Sequence, residues 1–440
     1  MDAAGKRGIE GIVKQAEQIE EQVVSEVGQA VLGTEVRCES EAIHVPGTVQ
    51  PHGFLLATDS EFQNVLIASE NSEAFLRLPF RLILHAPLET LLGRELLSAL
   101  RGLRAAPVAE HDGLVTFLGS FRIQDEYFSV TTHCSGSHRV LEFEIQDQLV
   151  GSEMMNAVIT NFVGTLSRLK TEEELCGALV RQIADLTGFD RVVLYSFDSE
   201  GHGTVLSEVS NGTLPSFLGL RFPASDIPQQ ARDLYVLNTV RIIPNAVYTP
   251  SPLKGVPELD APRFDLSLSQ LRSVSPTHLE YMRNMGTMAS MSVSIITDGR
   301  LWGLVSGHNA TPRLVPYLVR SACDMLTKMA STQLTSFHTA SRLQQMVRFH
   351  AVQRNILTEL AAEQNYLDGL AEQLPQAMEI TNAAGVALVV EDRVVTYGAV
   401  PDTDDILRLT ATLNELPEMD TWLSSHLCCL IYTSPSPRDS

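Results

Sequence analysis

The chain has little positive charge for its length. Its 440 residues include 32 lysines and arginines against 53 aspartates and glutamates, a formal net charge of −21. So acidic a surface repels nucleic acids and anionic membranes, and neither is expected as a partner. No apolar run is long enough to cross a bilayer, and the N-terminus lacks the pattern of a signal peptide. We therefore expect a soluble cytoplasmic protein.

Cysteines are few and scattered. None of the six forms a CxxC pair or has the spacing of a metal site, and a reducing compartment suits them better than a disulfide framework. The chain also lacks a glycine-rich phosphate loop and the GxSxG and HExxH patterns, so no catalytic motif is expected in it. The cysteines are Cys38, Cys134, Cys176, Cys323, Cys428 and Cys429.

The length predicts two or three domains, and 44% hydrophobic with 19% charged residues indicates a globular protein. Apolar spacing predicts an α+β fold, with antiparallel sheets flanked by helices and a long connecting helix. Residues 1–31 have the pattern of an amphipathic helix. Residues 32–147 and 153–335 are predicted to be two domains. Residues 336–427 hold the linker helix and the start of a third unit, which has too few elements to close a core.

The pattern from Leu314 to about Leu374 is nearly continuously helical, which is typical of a helix that joins domains or pairs with its own copy. Residues 428–440 read CCLIYTSPSPRDS and do not continue the third unit. We interpret them as a non-native end of a truncated chain; the alternative is a disordered native tail.

One acid in the second domain stands at a predicted helix start, in RFPASDIPQQARDLY. Ser225 or Asp226 could cap the free backbone N–H groups, and Pro228 suits the first turn. The positive helix end should keep Asp226 ionised. An ionised acid among apolar groups requires a cationic partner or a strong hydrogen-bond donor. The alternative interpretation is that Asp226 is an ordinary cap of a surface helix. The apolar neighbours are Phe222, Pro223 and Ile227.

Other polar groups lie on apolar elements of the same domain. Residues 240–268 are rich in proline and are predicted to be a long, irregular, functional loop. A hairpin is predicted on the Asp298-Gly299 turn, with alternate serines on one face of its first strand. Each group has an ordinary interpretation: a core histidine, a solvated serine face, a surface arginine. Together they predict a pocket for a large flat ligand with acidic arms and central nitrogen donors. The groups are Asp226, Arg241, Arg272, His278, Ser290, Ser292, Ser294 and His308.

Several long stretches resemble the bacteriophytochromes, from about residue 30 to residue 425. They read IHVPGTVQPHG, DRVVLYSFD, LPSFLGLRFPASDIPQQAR, LRSVSPTHLEYMRNMG and GRLWGLVSGH. The resemblance implies a PAS domain, a GAF domain and a PHY domain that is cut short. It also implies a linear tetrapyrrole, biliverdin, in the GAF domain.

The resemblance implies a thioether between Cys38 and a vinyl group of biliverdin. Some relatives carry their attachment cysteine in the GAF domain, where this chain has Thr277. That difference favours biliverdin over more reduced bilins.

Further roles are implied residue by residue. The backbone carbonyl and carboxylate of Asp226 would face the pyrrole nitrogens, and the carboxylate would change partners on switching. His278 would hold the protonated pyrroles and a central water, and His308 would bind the D-ring carbonyl. The propionates would be bound by Arg241, Arg272, Tyr235, Ser290 and Ser292. The D ring would be enclosed by Tyr195, Phe222 and Tyr281, and the pigment would pack along Ile227 and Pro228.

The implied function is red/far-red light sensing by Z/E isomerisation, in the sensory part of a two-component protein. The whole protein would be a histidine kinase that signals to a response regulator, and the long helix would form a homodimer. The kinase boxes are not in this chain. Neither is the PHY tongue, so we expect biliverdin to attach but the far-red state to form poorly or to decay fast. Gly307-His308-Asn309 replaces the family's common Cys-His-His. The alternative is a non-photochemical PAS–GAF module that binds a bilin or haem.

Overall fold

The computed structural model describes residues 41–104, 115–146, 151–362, 366–381, 383–391 and 393–414. The predicted helix over 1–31, Cys38 and the tail 428–440 lie outside the described residues. The chain divides into two compact units, Met1–Thr335 and Ser336–Ser440.

The described elements alternate between strands and helices, which confirms the predicted α+β class. The strands are β1 (Thr48–Val49), β2 (Gly53–Thr58), β3 (Val65–Ser69), β4 (Thr116–Ile123), β5 (Glu126–Ser135), β6 (His138–Ile145), β7 (Arg191–Phe197), β8 (Gly203–Ser210), β9 (Arg221–Phe222), β10 (Val240–Ile243), β11 (Ser251–Gly255), β12 (Ala289–Thr297), β13 (Arg300–Asn309), β14 (Gly385–Val390) and β15 (Arg393–Gly398). The helices are α1 (Ser72–Leu76), α2 (Leu88–Leu91), α3 (Arg94–Arg104), α4 (Ser152–Leu166), α5 (Glu172–Thr187), α6 (Gln229–Leu237), α7 (Pro276–Asn284), α8 (Tyr317–Ala362), α9 (Tyr366–Glu372), α10 (Leu374–Thr381) and α11 (Thr403–Asn414).

The first sheet is buried on both faces, in the order β1-β11-β3-β2-β6-β5-β4. Along β2, Phe54 and Leu56 enter the core under α1 to α3, while Leu55 and Ala57 enter a second core on the other face. The rings of Phe54 and Phe143 stack with their centroids 4.4 Å apart. Alternate apolar side chains therefore hold the sheet between two layers.

The predicted irregular loop over 240–268 contains two strands, so that prediction was wrong in part. β11 leaves the second domain and pairs antiparallel with β1 and β3 of the first sheet. The loop contacts the segment 41–50 at several points: the Leu253 backbone amide donates to the Gly47 carbonyl, and the Leu266 backbone amide donates to the His44 carbonyl. Gly47, at φ +66°, lies against the backbone of Pro262, where a side chain would not fit.

The second sheet has the order β10-β12-β13-β7-β8-β9. The predicted hairpin is confirmed: β12 and β13 flank Asp298 (φ 50°) and Gly299 (φ 73°), both left-handed as a tight hairpin turn requires. The helix α5 has a side-chain cap, because Thr171 Oγ1 accepts the Glu174 amide hydrogen. This sheet carries most of the candidate site residues.

The long helix is confirmed as α8, which begins at Tyr317 on the first unit. There Arg320 forms an ion pair with Glu144 of β6, at 2.6 Å and nearly excluded from solvent. The helix therefore joins the first sheet through a buried charge pair. Among the described helices, none combines the length and the apolarity that crossing a membrane requires.

The second unit holds the rest of α8, the short helices α9 and α10, a hairpin and α11. The two predicted strands pair antiparallel as β14 and β15, with Gly385 opposite Gly398. Ile406 of α11 and Leu374 of α10 are buried. These elements match the expected start of a third α+β unit.

Candidate functional site

Asp226 ends a single 3-10 turn, Ala224–Asp226, rather than beginning a helix. The helix α6 starts three residues later at Gln229, after Pro228, and no side chain caps it. Proline restricts Ile227 before it to an extended conformation (φ −129°, ψ 87°), which interrupts the helical path. The prediction of Asp226 or Ser225 as the helix cap was wrong. Burial raises the pKa of Asp226, opposite to the expected effect of a helix end.

Arg232 holds this turn from α6. Its guanidinium donates to the carbonyls of Ile227 at 2.7 Å, Gly201 at 2.6 Å and Ala224 at 3.0 Å, and lies over the Phe197 ring. Two of these carbonyls flank Asp226 in the sequence. The arginine therefore fixes the backbone on both sides of the acid.

The helix α7 brings two site residues towards Asp226. Tyr281 Oη donates to Asp226 Oδ2 at 3.4 Å, and the rings of His278 and Tyr281 lie 6.2 Å apart. Desolvation, and then the charge of Arg241, lower the pKa of His278 to about 4. His278 is nevertheless an exposed residue of α7.

His308 lies on β13 directly opposite Arg191 of β7. Arg191 Nε and Nη2 each lie 3.4 Å from His308 Nδ1. Burial, then the charges of Arg191 and His278, lower the pKa of His308 to about 3. Both predicted histidines are therefore neutral at pH 7.

Aromatic rings connect Asp226's turn to His308. Tyr195 packs 5.9 Å from Phe222, Phe222 packs 5.5 Å from Phe217, and Phe217 lies 6.4 Å from His308 (ring centroids). Ile227 packs against the same buried group. Gly203 makes room for Tyr195, because a side chain there would overlap the tyrosine ring. We call Tyr195, Phe217 and Phe222 the aromatic wall.

The two predicted arginines differ in their partners. Arg241 donates to the carbonyls of Arg272 at 2.6 Å and Ser273 at 3.1 Å, so it holds the loop before α7. Arg272 is 7% exposed, and its Nη1 has no hydrogen-bond partner among the described residues. The buried Ser273 Oγ also has no hydrogen-bond partner among the described residues. Burial and the charge of Arg241 lower the pKa of Arg272 to about 9, so it remains mostly cationic at pH 7.

The predicted hydroxyl groups lie beside these charges. Ser290 is the cross-strand neighbour of His308, and Ser292 is that of Arg241. Ser292 Oγ lies 3.2 Å from Ser306 Oγ. Tyr235 lies near both arginines. Thr277, on α7, is half-buried.

Sequence analysis missed Arg191, Arg232 and Phe217. A signal for Arg191 was present, because a single cation in the apolar strand RVVLYSF predicts a buried charge with partners. Nothing in the sequence indicated that Arg232 would reach back to the turn before its helix.

The arrangement can bind an anion at one side and hydrogen-bond a flat ligand at the other. Arg272 and Ser273 offer unpaired donors, each neutral histidine has one ring N–H group that can donate, and Asp226 offers a carboxyl group. No group of three or more metal-ligating side chains occurs in the part of the chain that the structure describes. The donor set fits an organic anion rather than a metal ion.

Three known protein families match successive parts of the chain. Residues 38–146 match the PAS fold, residues 171–336 the GAF domain and residues 349–437 the phytochrome region.

Relatives align along most of the chain. Cyanobacterial phytochrome B of Nostoc sp. is 35% identical over 406 residues, 91% of this chain and 54% of its own length. The bacteriophytochrome of Pseudomonas aeruginosa is 35% identical over 363 residues, 78% of this chain and 47% of its own. The chain thus spans about half the length of the curated relatives it matches.

A solved structure, the wild-type photosensory core module of Stigmatella aurantiaca phytochrome, superimposes with a TM-score of 0.75 at 35% identity. The alignment covers 86% of this chain and 76% of that one. With its PAS fold, GAF domain and phytochrome region in this order, the chain belongs to the bacteriophytochrome family.

Proposed function

We propose that this chain binds biliverdin in its GAF domain and senses red and far-red light. The observation that carries the proposal is Arg272, a buried cation whose Nη1 has no hydrogen-bond partner among the described residues. A buried charge without a counter-ion is costly, so the site favours a ligand with a carboxylate. A propionate arm of a bilin supplies that group, and an arginine fork binds it bidentately.

The other residues fit the rest of the same ligand. Asp226 and His278 would meet the pyrrole nitrogens, and His308 would meet the D-ring carbonyl. The aromatic wall and Tyr281 would enclose the D ring, with Ile227 and Pro228 along its edge. Tyr235, Ser290 and Ser292 would complete the propionate side, and Arg241 would position Arg272 through its carbonyl.

Cys38 is the proposed attachment point. Glu41, three residues later, accepts a hydrogen bond from Ser275 at the start of α7. Three residues of extended chain span at most about 11 Å. The same helix carries His278 one turn further on. A thioether from Cys38 to a ligand beside His278 is therefore within reach.

When bound, the bilin supplies the photochemistry, Z/E isomerisation at the methine bridge between rings C and D. The chain's part is to hold the rings, keep the pyrrole protons at Asp226 and exchange the partner of its carboxylate. Tyr281 is poised for that exchange, because its bond to Asp226 is long. The hydrogen bond between Tyr281 and Asp226 would be formed to a different extent with each of the two isomers.

The test is incubation with biliverdin, followed by zinc-induced fluorescence on a denaturing gel and absorbance spectra under red and far-red light. We expect a covalent, far-red-absorbing adduct whose spectrum changes reversibly with light. Cys38→Ala should lose the covalent band, whereas Cys134→Ala, at a free cysteine in the PAS domain, should keep it. A chain that takes up no biliverdin would refute the proposal, and a coloured adduct that ignores light would support the non-photochemical alternative.

We also propose that a second copy of the chain pairs with α8. Among its exposed apolar residues, Met346 and Val347 follow Leu343 by three and four residues, and Leu357 follows it by two heptads. Such spacing is the pattern of a helix that packs on a like helix. Val347→Glu should lower the molar mass measured by light scattering, and Gln345→Glu, on another face, should not. An unchanged mass for Val347→Glu would contradict this interface.

The output is proposed for the whole protein. The family resemblance supports a histidine kinase and a response regulator as the following steps, and the relatives are about twice as long as this chain. Phosphorylation assays on a full-length protein, with and without light, would test this step.

A further inference from the structure

Arg191 is a buried cation with an unusual set of partners. It is fully excluded from solvent on β7, and its guanidinium carbon lies 3.5 Å from the centre of the Phe217 ring. Its Nη1 donates to the Pro215 carbonyl. No carboxylate lies within ion-pair distance of it in the described part of the chain. Its remaining nitrogens, Nε and Nη2, both point at one atom, His308 Nδ1.

A guanidinium can only donate hydrogen bonds. His308 Nδ1 must therefore present its lone pair to Arg191, which places the ring proton on Nε2. A doubly protonated ring would put an N–H group against the Arg191 N–H groups and a second cation beside the first. Direct pairing of Arg191 with His308 across neighbouring strands fixes this geometry through the backbone.

The ring cannot easily exchange its two nitrogens by rotation. Phe217 lies edge-on to it, and Arg191 is itself pinned by the Pro215 carbonyl and the Phe217 ring. The Arg191 side chain is therefore held in one position. Only one orientation of the His308 ring places an acceptor against its N–H groups.

We propose that Arg191 is a positioning residue that holds His308 as the neutral tautomer with its proton on Nε2. His308 then offers the ligand of the GAF domain a hydrogen-bond donor and no acceptor. The site selects a ligand group with an acceptor at this point, such as a ring carbonyl, over one with an N–H. Only the identity of that ligand rests on the proposed function; the tautomer does not.

The first test needs no ligand. Two-dimensional nitrogen–proton spectra of the ¹⁵N-histidine-labelled chain at pH 7 distinguish the two tautomers, and His308→Gln assigns the signal. We expect His308 to show an unprotonated Nδ1 and a protonated Nε2. A protonated Nδ1 in the wild-type chain overturns the proposal, whatever the variants do.

Variants then test the role of Arg191. Arg191→Met removes the donors and should convert His308 to a mixture of tautomers, while Arg191→Lys, which still donates, should retain the wild-type form in large part. Arg139→Met, at another buried arginine, should leave the His308 signals unchanged. An unchanged His308 spectrum in folded Arg191→Met overturns the proposal.

The second readout separates this proposal from the proposed function. With biliverdin, Arg191→Met should keep the covalent band through Cys38 but show a shifted absorbance maximum and a reduced extent of photoconversion. If the wild-type chain takes up no biliverdin, the proposed function fails while the tautomer result stands. If the wild type is photoactive and Arg191→Met matches it in spectrum and extent, the positioning role fails alone.

Discussion

Tyr281 Oη lies 3.4 Å from Asp226 Oδ2 and makes the hydrogen bond that favours the ionised form of this carboxyl group. Burial acts in the opposite direction and prevails, so the pKa of Asp226 is raised. A carboxyl group with one long hydrogen bond can change both its proton and its partner at small cost.

Removal of the phenol should raise the pKa of Asp226 further. In Tyr281→Phe, burial remains and the hydrogen bond that lowers the pKa is lost. Carboxyl ¹³C titration should show protonation at higher pH, with a stability change below about 1 kcal/mol. Tyr248→Phe, which removes a hydroxyl that accepts the Val274 amide hydrogen, is the control and should leave the titration of Asp226 unchanged. A lower Asp226 pKa in Tyr281→Phe would contradict the assignment.

Asp226→Ala or Asp226→His should leave covalent attachment at Cys38 intact while it blocks photoconversion and increases fluorescence. The acid is expected to guide the proton and partner exchange, and it lies outside the attachment chemistry. Asp233→Ala, an exposed acid on the adjoining helix, should behave as wild type. Loss of attachment in both Asp226 variants would instead give Asp226 a structural role.

Loss of Arg232 should loosen the turn that carries Asp226. Arg232→Met removes three hydrogen bonds to carbonyls, and we expect a loss of about 2 kcal/mol in the free energy of unfolding. Hydrogen exchange should accelerate at the Asp226 amide, which donates to the Pro223 carbonyl. Arg221→Met breaks only an exposed ion pair with Asp198 and should cost less than about 1 kcal/mol. Equal losses in the two variants would refute this role.

The ion pair of Glu144 and Arg320 should govern part of the acid stability. Burial opposes ionisation of Glu144, but the charge of Arg320, with hydrogen bonds, outweighs it and lowers the pKa to about 2. Because the pKa of Glu144 is lower in the folded protein, its ionised form stabilises the fold at pH values above its ordinary pKa of 4.5. This contribution is lost as the pH falls from 4.5 to about 2. Glu144→Gln should remove that part of the pH dependence in urea unfolding curves.

At neutral pH, Glu144→Gln should destabilise the fold by about 3–5 kcal/mol, because it leaves the Arg320 charge buried without a partner. The matched control is Glu70→Gln, at an exposed ion pair with Lys254, which should cost less than about 1 kcal/mol. A small effect of Glu144→Gln would mean that water reaches Arg320.

Gly203→Ala should displace a ring of the aromatic wall. The new methyl group would overlap Tyr195, and overpacking of this kind costs about 1–3 kcal/mol. We expect a lower melting temperature and a shifted absorbance maximum of the biliverdin adduct. Gly164→Ala, in α4 with no atom within contact distance, should be neutral or slightly stabilising. A wild-type spectrum in Gly203→Ala would exclude Tyr195 from contact with the ligand.

Local chemistry was sufficient to predict the Asp298-Gly299 hairpin and the long helix. It failed at Asp226, because a residue before an X-Pro step can carry every sign of a helix cap and still end a separate turn. It also failed at β11, whose partners Ala68 and Thr48 are more than 180 residues away along the chain. Such pairing depends on the tertiary fold, which a local pattern does not encode.

The candidate site follows the same division. Arg272, His278 and His308 were predicted from residue type and motif, whereas Arg191 and Arg232 act on backbone carbonyls or on another side chain. Their roles depend on which strand lies opposite, or on where a helix turns back. Arg241 illustrates the point: its type was recognised, but its hydrogen bonds go to the loop carbonyls.

The strand that β11 contributes to the first sheet also sets an order for biosynthesis. Residues up to Ile145 can leave the ribosome and form β2 to β6, yet β3 keeps an open hydrogen-bonding edge until Gly255 has been translated. The N-terminal domain therefore cannot finish folding first, as domains in a nascent chain generally do. Until then that edge is free to pair with another nascent chain, so slow translation between β6 and β11 would lengthen its exposure.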